Sequence, residues 1–202
     1  MLVPFYQATQ ACEAVSAIFR AGITPSALEF MERDAITWTM KYVDGVNVPV
    51  GDNIQAHLLI EVDGNYPEIL FQEAEKIMNV LENYEIDEIL FADTEDQKNA
   101  LWKLRRAVGE AVKSNSIYKE EDAVVPRYEL PTLLKAVKDA GKKYGFHSVC
   151  YGHAGDGNLH INIIKGDMSD ADWQTQVPKG IVEIFQETVR LKGTLSGEHG
   201  IG

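Results

Sequence analysis

The sequence predicts an α+β fold of duplicated ferredoxin-like units, in which an antiparallel sheet carries helices packed on one face. Three observations lead to this prediction. Strand-like and helix-like segments alternate without low-complexity linkers, the order strand, helix, strand, helix occurs twice at similar length, and a turn-rich hairpin follows. The 202 residues, 45% of them hydrophobic, are enough to bury a sizeable core.

The first half of the chain supplies four predicted strands and four predicted helices. The strands cover residues 2–6, 27–32, 57–62 and 86–92. The helices cover residues 10–20, 35–41, 67–83 and 94–113. Gly22 ends the first helix, Pro67 lies in the first turn of the third, and Thr94 with Gln97 forms a capping box for the fourth.

The second half supplies two further helices, at residues 129–144 and 171–192, on either side of the hairpin. The chain is interpreted as one domain, residues 1–202. The loop at residues 44–55, which contains glycine, proline and asparagine, is the best candidate for a boundary between sub-units at about 1–50 and 51–202. A simple surface excursion is the alternative for this loop.

Composition excludes several classes of partner and compartment. A net charge of −12 argues against nucleic acid or an anionic membrane, because phosphate binding needs a cationic surface. Cys12 and Cys150 are far apart and form no C-x-x-C pattern, which favours a reducing compartment. The start of the chain has neither a signal peptide nor a spanning segment. We therefore expect a cytoplasmic location, with contact to a membrane only through partner subunits.

The hairpin carries two histidines that can be metal ligands. His153 and His160 bracket a turn of Gly, Asp and Asn. If residues 154–159 form the loop, the two histidines lie opposite each other, with Cβ atoms roughly 4.5–5.5 Å apart. Glu198 would complete a His2Glu set with an open position, and Asn162 would point to the same face. An ordinary hairpin turn with surface histidines is the other interpretation.

The two motifs together identify a family resemblance. Residues 153–160 (HAGDGNLH) and 196–202 (SGEHGIG) closely resemble the C-terminal substrate domain of FAD-linked oxidases. This family includes the FAD subunit of glycolate oxidase, D-lactate dehydrogenase and D-2-hydroxyglutarate dehydrogenase. Residues 25–31, 101–105 and 124–127 resemble further landmarks of the family, in the expected order.

The resemblance implies a reaction that this chain performs only with another domain. Family members carry an upstream FAD-binding domain and a C-terminal segment that returns to it, so we expect the chain to be a fragment that is inactive alone. The implied cofactors are FAD, bound mainly by the missing domain, and a divalent metal, Zn or Mn. The implied reaction oxidises a small 2-hydroxy acid to a 2-oxo acid by hydride transfer to flavin. Other oxidase subunits or an electron acceptor are further implied partners.

The resemblance also implies roles for individual residues. His153, His160 and Glu198 would bind the metal, and His199 would remove the hydroxyl proton. Asn162 would form a hydrogen bond with the substrate.

Two cationic residues are implied to bind the substrate as well. Arg105, which rises from the apolar stripe of its helix, would contact the substrate carboxylate. A snorkelling arginine or an internal ion pair is the alternative. Lys119 would also bind substrate, although the local spacing is shifted by one residue and a solvated lysine fits equally well.

Two functions of other classes remain open from the sequence. A stand-alone metal-dependent hydrolase would also use two histidines, a glutamate and a nearby histidine. A non-catalytic module for subunit interaction would use the same sheet without chemistry. Activity without flavin would indicate the hydrolase, and absence of bound metal would indicate the module.

Overall fold

The fold is that of a computed structural model, which describes residues 1–46, 48 and 50–197. The strands are β1 (Leu2–Phe5), β2 (Ala27–Glu32), β3 (Ala56–Glu61), β4 (Tyr118–Val124), β5 (His147–Gly152) and β6 (Asn158–Ile164). The helices are α1 (Ala8–Arg20), α2 (Arg33–Tyr42), α3 (Pro67–Leu81), α4 (Glu95–Ser114), α5 (Leu130–Tyr144), α6 (Asp170–Thr175) and α7 (Val177–Arg190). The strands form one antiparallel sheet in the order β1-β3-β2-β5-β6-β4.

The sheet consists of two ferredoxin-like units joined edge to edge. In the first unit, bridges from Leu2 to Leu90 and from Phe5 to Ile86 add an outer segment beside β1, followed by β3 and β2. In the second unit, a bridge from Val124 to Thr194 adds an outer residue beside β4, followed by β6 and β5. The two units thus have the same spatial order, which confirms the predicted α+β class. The segments that repeat are residues 2–90 and 118–194, whereas the repeat predicted from the sequence lay within residues 2–113.

The units meet between β2 and β5, and not near residue 50. Phe30 pairs with Gly152 and Met31 with Tyr151 across this seam. A boundary was predicted in the loop at residues 44–55. β3 follows that loop but pairs with both β1 and β2, which precede it, so the loop does not separate two units. A central strand needs hydrogen-bond partners on both edges, so the segments before and after the loop belong to one unit.

Helices cover both faces of the sheet. α1, α3, α5 and α7 pack on the face formed by residues such as Phe30, Leu58 and Ile161, as expected for the helices of ferredoxin-like units. The expectation of helices on one face holds for these four. α2, inserted between β2 and β3, and α4, which links the two units, pack on the opposite face against Met31 and Leu59. Strands that are apolar on both faces require this second layer.

The local structure departs from the predicted elements in three places. β4 was not expected, because four of its seven residues are charged. The predicted strand at 86–92 makes only the two bridges. The predicted helix at 171–192 is divided at Gln176, and Pro178 lies in the first turn of α7. The predicted capping box of Thr94 is present. Within the described ranges, no helix is both long and apolar enough to cross a membrane.

Candidate functional site

A group of buried polar side chains lies on the sheet face that looks toward α4, mostly on β4 and β6 of the second unit, with one residue each from β2 and α4. Alternation along β4 and β6 places these residues opposite the core residues Ala123, Ile161 and Ile163. We call this group, with the neighbouring His153, the polar cluster. Its buried members are Glu29, Arg105, Asp122, Asn158, His160 and Asn162. So many buried polar groups in one place are typical of a functional site.

The two histidines come together, although not by the predicted pairing. The residue opposite His160 is Tyr151, since β5 ends at Gly152 and the connection comprises residues 153–157. A 3-10 turn at Ala154–Asp156 tightens this connection and shifts the register from the predicted one. The His153 and His160 rings nevertheless lie edge to face, with 5.9 Å between their centroids.

Each histidine has a buried carboxylate beside its Nδ1 atom. His153 Nδ1 lies 2.9 Å from Glu29 Oε1, and His160 Nδ1 lies 3.5 Å from Asp122 Oδ1. A carboxylate at one ring nitrogen fixes the orientation of the imidazole and increases the basicity of the other nitrogen. The Nε2 atoms are therefore the nitrogens suited to coordinate a metal ion.

Asp122 also holds the start of the second motif next to the histidines. Gly197 donates its backbone N–H to Asp122 Oδ2 at 3.0 Å, and the Asn158 side chain donates to Asp122 Oδ1 at 2.6 Å. The approach is so close that a Cβ at Gly197 would lie 2.4 Å from Asn158 Nδ2. The predicted ligand Glu198 and the predicted base His199 follow Gly197 and lie outside the described residues.

Arg105 forms the internal ion pair that was the alternative to substrate binding. Its Nε and Nη2 atoms lie 2.8 Å and 2.7 Å from Glu29 Oε2, and both side chains are about nine-tenths buried. Burial by itself raises the pKa of Glu29. The hydrogen bond to His153 and the charge of Arg105 outweigh burial and hold the pKa of Glu29 below its usual value. Glu29 is thus a carboxylate that links α4 to the histidine site.

Asn162 and Tyr151 supply neutral polar groups to the same face. Asn162 is fully buried, beside the Tyr151 hydroxyl. Burial, together with the Glu120 carboxylate, raises the pKa of Tyr151, so the phenol stays protonated. The Tyr151 ring also lies 5.7 Å from the Arg105 guanidinium. An uncharged amide and a phenol can form hydrogen bonds with a polar ligand without adding charge.

Lys119 is not brought to the polar cluster. It pairs in register with Ile163, a core residue of the opposite face, whereas Glu120 pairs with Asn162. Glu120 in turn binds Lys113 of α4 at 2.7 Å. Alternation along β4 therefore places Lys119 on the wrong face of the sheet to reach the histidines.

Sequence reasoning missed the carboxylates of this site. Glu29 and Asp122 were not proposed, because neither belongs to a ligand-like spacing. The alternation of β2, which places Glu29 on the same face as Met31, was the available signal for Glu29. Among residues 1–46, 48 and 50–197, no three His, Cys, Asp or Glu side chains form a group able to hold a metal ion by themselves. Completion of such a site needs a ligand from elsewhere.

Comparisons with known proteins agree with this architecture. The chain is 32% identical over 206 residues to a D-lactate dehydrogenase of Anaerostipes hadrus, covering 100% of this chain and 43% of that protein. It is 34% identical over 195 residues to the glycolate oxidase subunit GlcD of Bacillus subtilis strain 168, covering 95% and 40%. It is 30% identical over 184 residues to a probable mitochondrial D-2-hydroxyglutarate dehydrogenase of Oryza sativa subsp. japonica, covering 88% and 31%.

Solved structures share the fold at low sequence identity. p-Cresol methylhydroxylase with substrate bound superposes with a TM-score of 0.60 at 11% identity, covering 96% of this chain and 44% of that one. Alkyldihydroxyacetonephosphate synthase superposes with a TM-score of 0.59 at 11% identity, covering 96% and 40%. The chain spans less than half the length of the relatives it matches.

The match to a family model completes the comparison. The model described as FAD linked oxidases, C-terminal domain, covers residues 1–202, which is the whole chain. The predicted resemblance is thereby confirmed, and the chain belongs to the family of FAD-linked oxidase C-terminal domains.

Proposed function

We propose that this chain is the substrate-binding and metal-binding part of an FAD-dependent 2-hydroxy acid dehydrogenase or oxidase. The relatives are named for glycolate, D-lactate and D-2-hydroxyglutarate, each of which is a 2-hydroxy acid. The polar cluster supports this assignment, because a hydroxyl and a carboxylate on adjacent carbons need both a cationic centre and neutral hydrogen-bonding groups.

The observation that carries the proposal is the paired arrangement of histidine and carboxylate. His153 Nδ1 lies 2.9 Å from Glu29 and His160 Nδ1 lies 3.5 Å from Asp122, and both rings lie in the same cluster. Ligand histidines of metal sites are typically oriented in this way. His153 and His160 would therefore hold a divalent ion, Zn or Mn, through their Nε2 atoms.

Glu198 is proposed as the third ligand, because it follows Gly197 directly in the chain. Gly197 is bound to the same Asp122 that lies beside His160. Two histidines and one glutamate leave a coordination position for the substrate. An ion bound there would supply Lewis-acid chemistry at the substrate hydroxyl, and FAD from another part of the enzyme would supply the hydride acceptor.

The remaining residues would bind the substrate and move its proton. His199, next to Glu198, would take the proton from the substrate hydroxyl oxygen as a general base. Asn162 would form a hydrogen bond with the substrate from the buried sheet face. Arg105 would face the substrate carboxylate with its Nη1 side, since Glu29 already binds Nε and Nη2.

Elemental analysis of the purified 202-residue chain tests the metal site. We expect about one divalent ion per chain in the wild type and a clear loss of metal in His153→Ala and in His160→Ala. His147→Ala is the matched control, because His147 begins β5, the strand that ends just before His153, but is exposed and bound to Asp34. Metal content that is equal in all four proteins would reject the proposed site.

A further inference from the structure

A second pocket shares His153 and Glu29 with the polar cluster. It is formed where the turn at residues 153–156 packs against the start of β2, and its volume is about 170 Å³. We call it the Arg127 pocket. Its lining comprises Phe19, residues 24–29, Arg127, His153, Gly155 and Asp156. His153 is thus common to the polar cluster and to this pocket.

Arg127 is held in place at this pocket. Its guanidinium carbon lies 4.0 Å from the centroid of the Phe19 ring, and its Nε donates a hydrogen bond to the Gly155 carbonyl oxygen. Stacking and one hydrogen bond fix the plane of the guanidinium, so less conformational freedom is lost when it binds an anion. The terminal nitrogens are left for a planar oxyanion such as a carboxylate.

Arg127 differs from the other cations near the site in having no ion-pair partner among the described residues. Arg105 is neutralised by Glu29 and Lys113 by Glu120, each at 2.7 Å. In the described part of the chain, no carboxylate lies within ion-pair distance of Arg127, although Asp156 lines the same pocket. Arg127 is exposed to solvent, so its terminal nitrogens are accessible to an anion.

The volume of the pocket limits what it can accept. A volume of 170 Å³ corresponds to about five or six water molecules, at ~30 Å³ each. This is too small for a dinucleotide but sufficient for a carboxylate with its adjoining carbons. The size therefore favours the end of a small organic acid.

We propose that the Arg127 pocket is a carboxylate subsite, which receives a second carboxylate of the substrate while the hydroxyl end binds near His153 and His160. This inference rests on the proposed function, because that function places the 2-hydroxy acid at the histidines. It makes Arg127 a residue that determines specificity and selects dicarboxylic over monocarboxylic 2-hydroxy acids. Thr24 and Ser26, two neutral polar residues, also line the pocket.

The first experiment tests the pocket without metal. The metal-free chain is titrated with glutarate, a dicarboxylate that has no hydroxyl, and backbone amide signals are followed by NMR. We expect saturable shifts at Gly155 and Arg127, and affinity that falls about 10- to 100-fold in Arg127→Gln, as for the loss of a charged hydrogen-bonded pair. Arg127→Lys should retain part of the affinity. Lys135→Gln, which removes the same charge from an exposed position on α5, should bind like the wild type.

The second experiment tests specificity in the zinc-loaded chain. 2-Hydroxyglutarate should bind at least about tenfold more tightly than lactate, and Arg127→Gln should remove this difference without changing zinc content. Absence of glutarate shifts at Gly155, or an unchanged ratio in Arg127→Gln, would overturn the subsite. A response to inorganic phosphate but not to glutarate would also overturn it, in favour of a phosphate site. Loss of the metal site alone leaves the glutarate result standing, so the two proposals fail separately.

Discussion

The two ferredoxin-like units have the same strand order, but their faces toward α4 differ in polarity. In the first unit this face is mainly apolar, with Leu2, Met31 and Leu59 in a core beneath α2 and α4. In the second unit the corresponding face carries Asp122, His160 and Asn162. Both units bury the other face in one continuous core. Duplication of a fold therefore leaves each copy free to use one face differently.

The connection between the second and third strands explains the difference. In the first unit, residues 33–55 connect β2 to β3 and include α2, which covers the sheet. In the second unit, residues 153–157 connect β5 to β6, and this short turn carries His153. A short connection leaves the sheet face open at its end, so polar side chains there can reach a ligand. The short connection thus distinguishes the face that carries the candidate site from the covered face of the first unit.

The largest expected effect on stability comes from breaking the buried ion pair between Arg105 of α4 and Glu29 of β2. Among the described residues, Arg105→Met would leave the buried Glu29 carboxylate with His153 as its remaining ion-pair partner. Loss of one partner of a buried pair costs about 3–5 kcal/mol. Urea unfolding of the variant should show this loss. Addition of Glu29→Gln should recover part of it, because the buried charge is then removed.

Arg106→Met is the matched control for this ion pair. Arg106 is the next residue of α4 but is exposed, and its guanidinium lies 5.9 Å from the Trp102 ring. Its loss should cost no more than ~1 kcal/mol. Equal unfolding free energies for the two variants would show that the polar cluster does not depend on the buried pair, and would weaken the contrast between the two faces.

A smaller effect on stability is expected from a substitution in the turn between β5 and β6. Gly157 and Gly22 both have a φ of 79°, but a Cβ at Gly157 would lie 2.0 Å from the Val125 carbonyl oxygen, whereas nothing lies within 4 Å at Gly22. Gly22→Ala should cost about 1–2 kcal/mol for the left-handed conformation alone. Gly157→Ala should cost roughly 2–5 kcal/mol, because the contact must also be relieved.

Urea unfolding measures both glycine variants, and metal analysis adds a second criterion. The Gly157→Ala turn should also misplace His153 and lower metal content, while Gly22→Ala should keep the metal of the wild type. If Gly157→Ala is no less stable than Gly22→Ala, the turn is more adaptable than its contacts indicate. The short connection would then not be what sets the geometry of the polar cluster.

Much of the fold followed from local sequence signals. The strands β1, β2 and β3 show apolar runs of the right length, and the capping box of Thr94 marked the start of α4 within one residue. β4 was missed because four of its seven residues are charged, of which Glu120 and Asp122 lie on the face of the polar cluster. A strand that builds a site departs from the apolar pattern that identifies ordinary strands.

The site was predictable in its motif but not in its supporting residues. His153 and His160 stand out in the sequence, whereas Glu29 lies 124 positions away from His153. Their contact depends on the pairing of β2 with β5, which no local pattern specifies. The register of the hairpin also depended on Gly157, whose left-handed backbone shortens the loop. Long-range pairing and turn geometry are what the sequence alone left open.

The smallest expected effect concerns a surface contact across the seam between the units. Asp34 of α2 lies 2.9 Å from His147 Nε2 of β5, and the two side chains are 40% and 56% exposed. The hydrogen bond from His147 lowers the pKa of Asp34 below 3.8, against the effect of its partial burial. Because solvent screens the pair, Asp34→Asn should lower the free energy of unfolding by only about 0.2–1 kcal/mol near neutral pH.

The pH dependence of this contact follows from the direction of the shift. A carboxyl whose pKa is lower in the folded state contributes stability above its unfolded pKa of 3.8, and this contribution disappears as the pH falls through the lower folded value. Urea midpoints of wild type and Asp34→Asn should therefore differ at about pH 7 and converge at about pH 2. A difference that persists in acid would mean that Asp34 acts through packing at the start of α2. Packing of the Asp34 side chain, and not its charge, would then stabilise the seam between the two units.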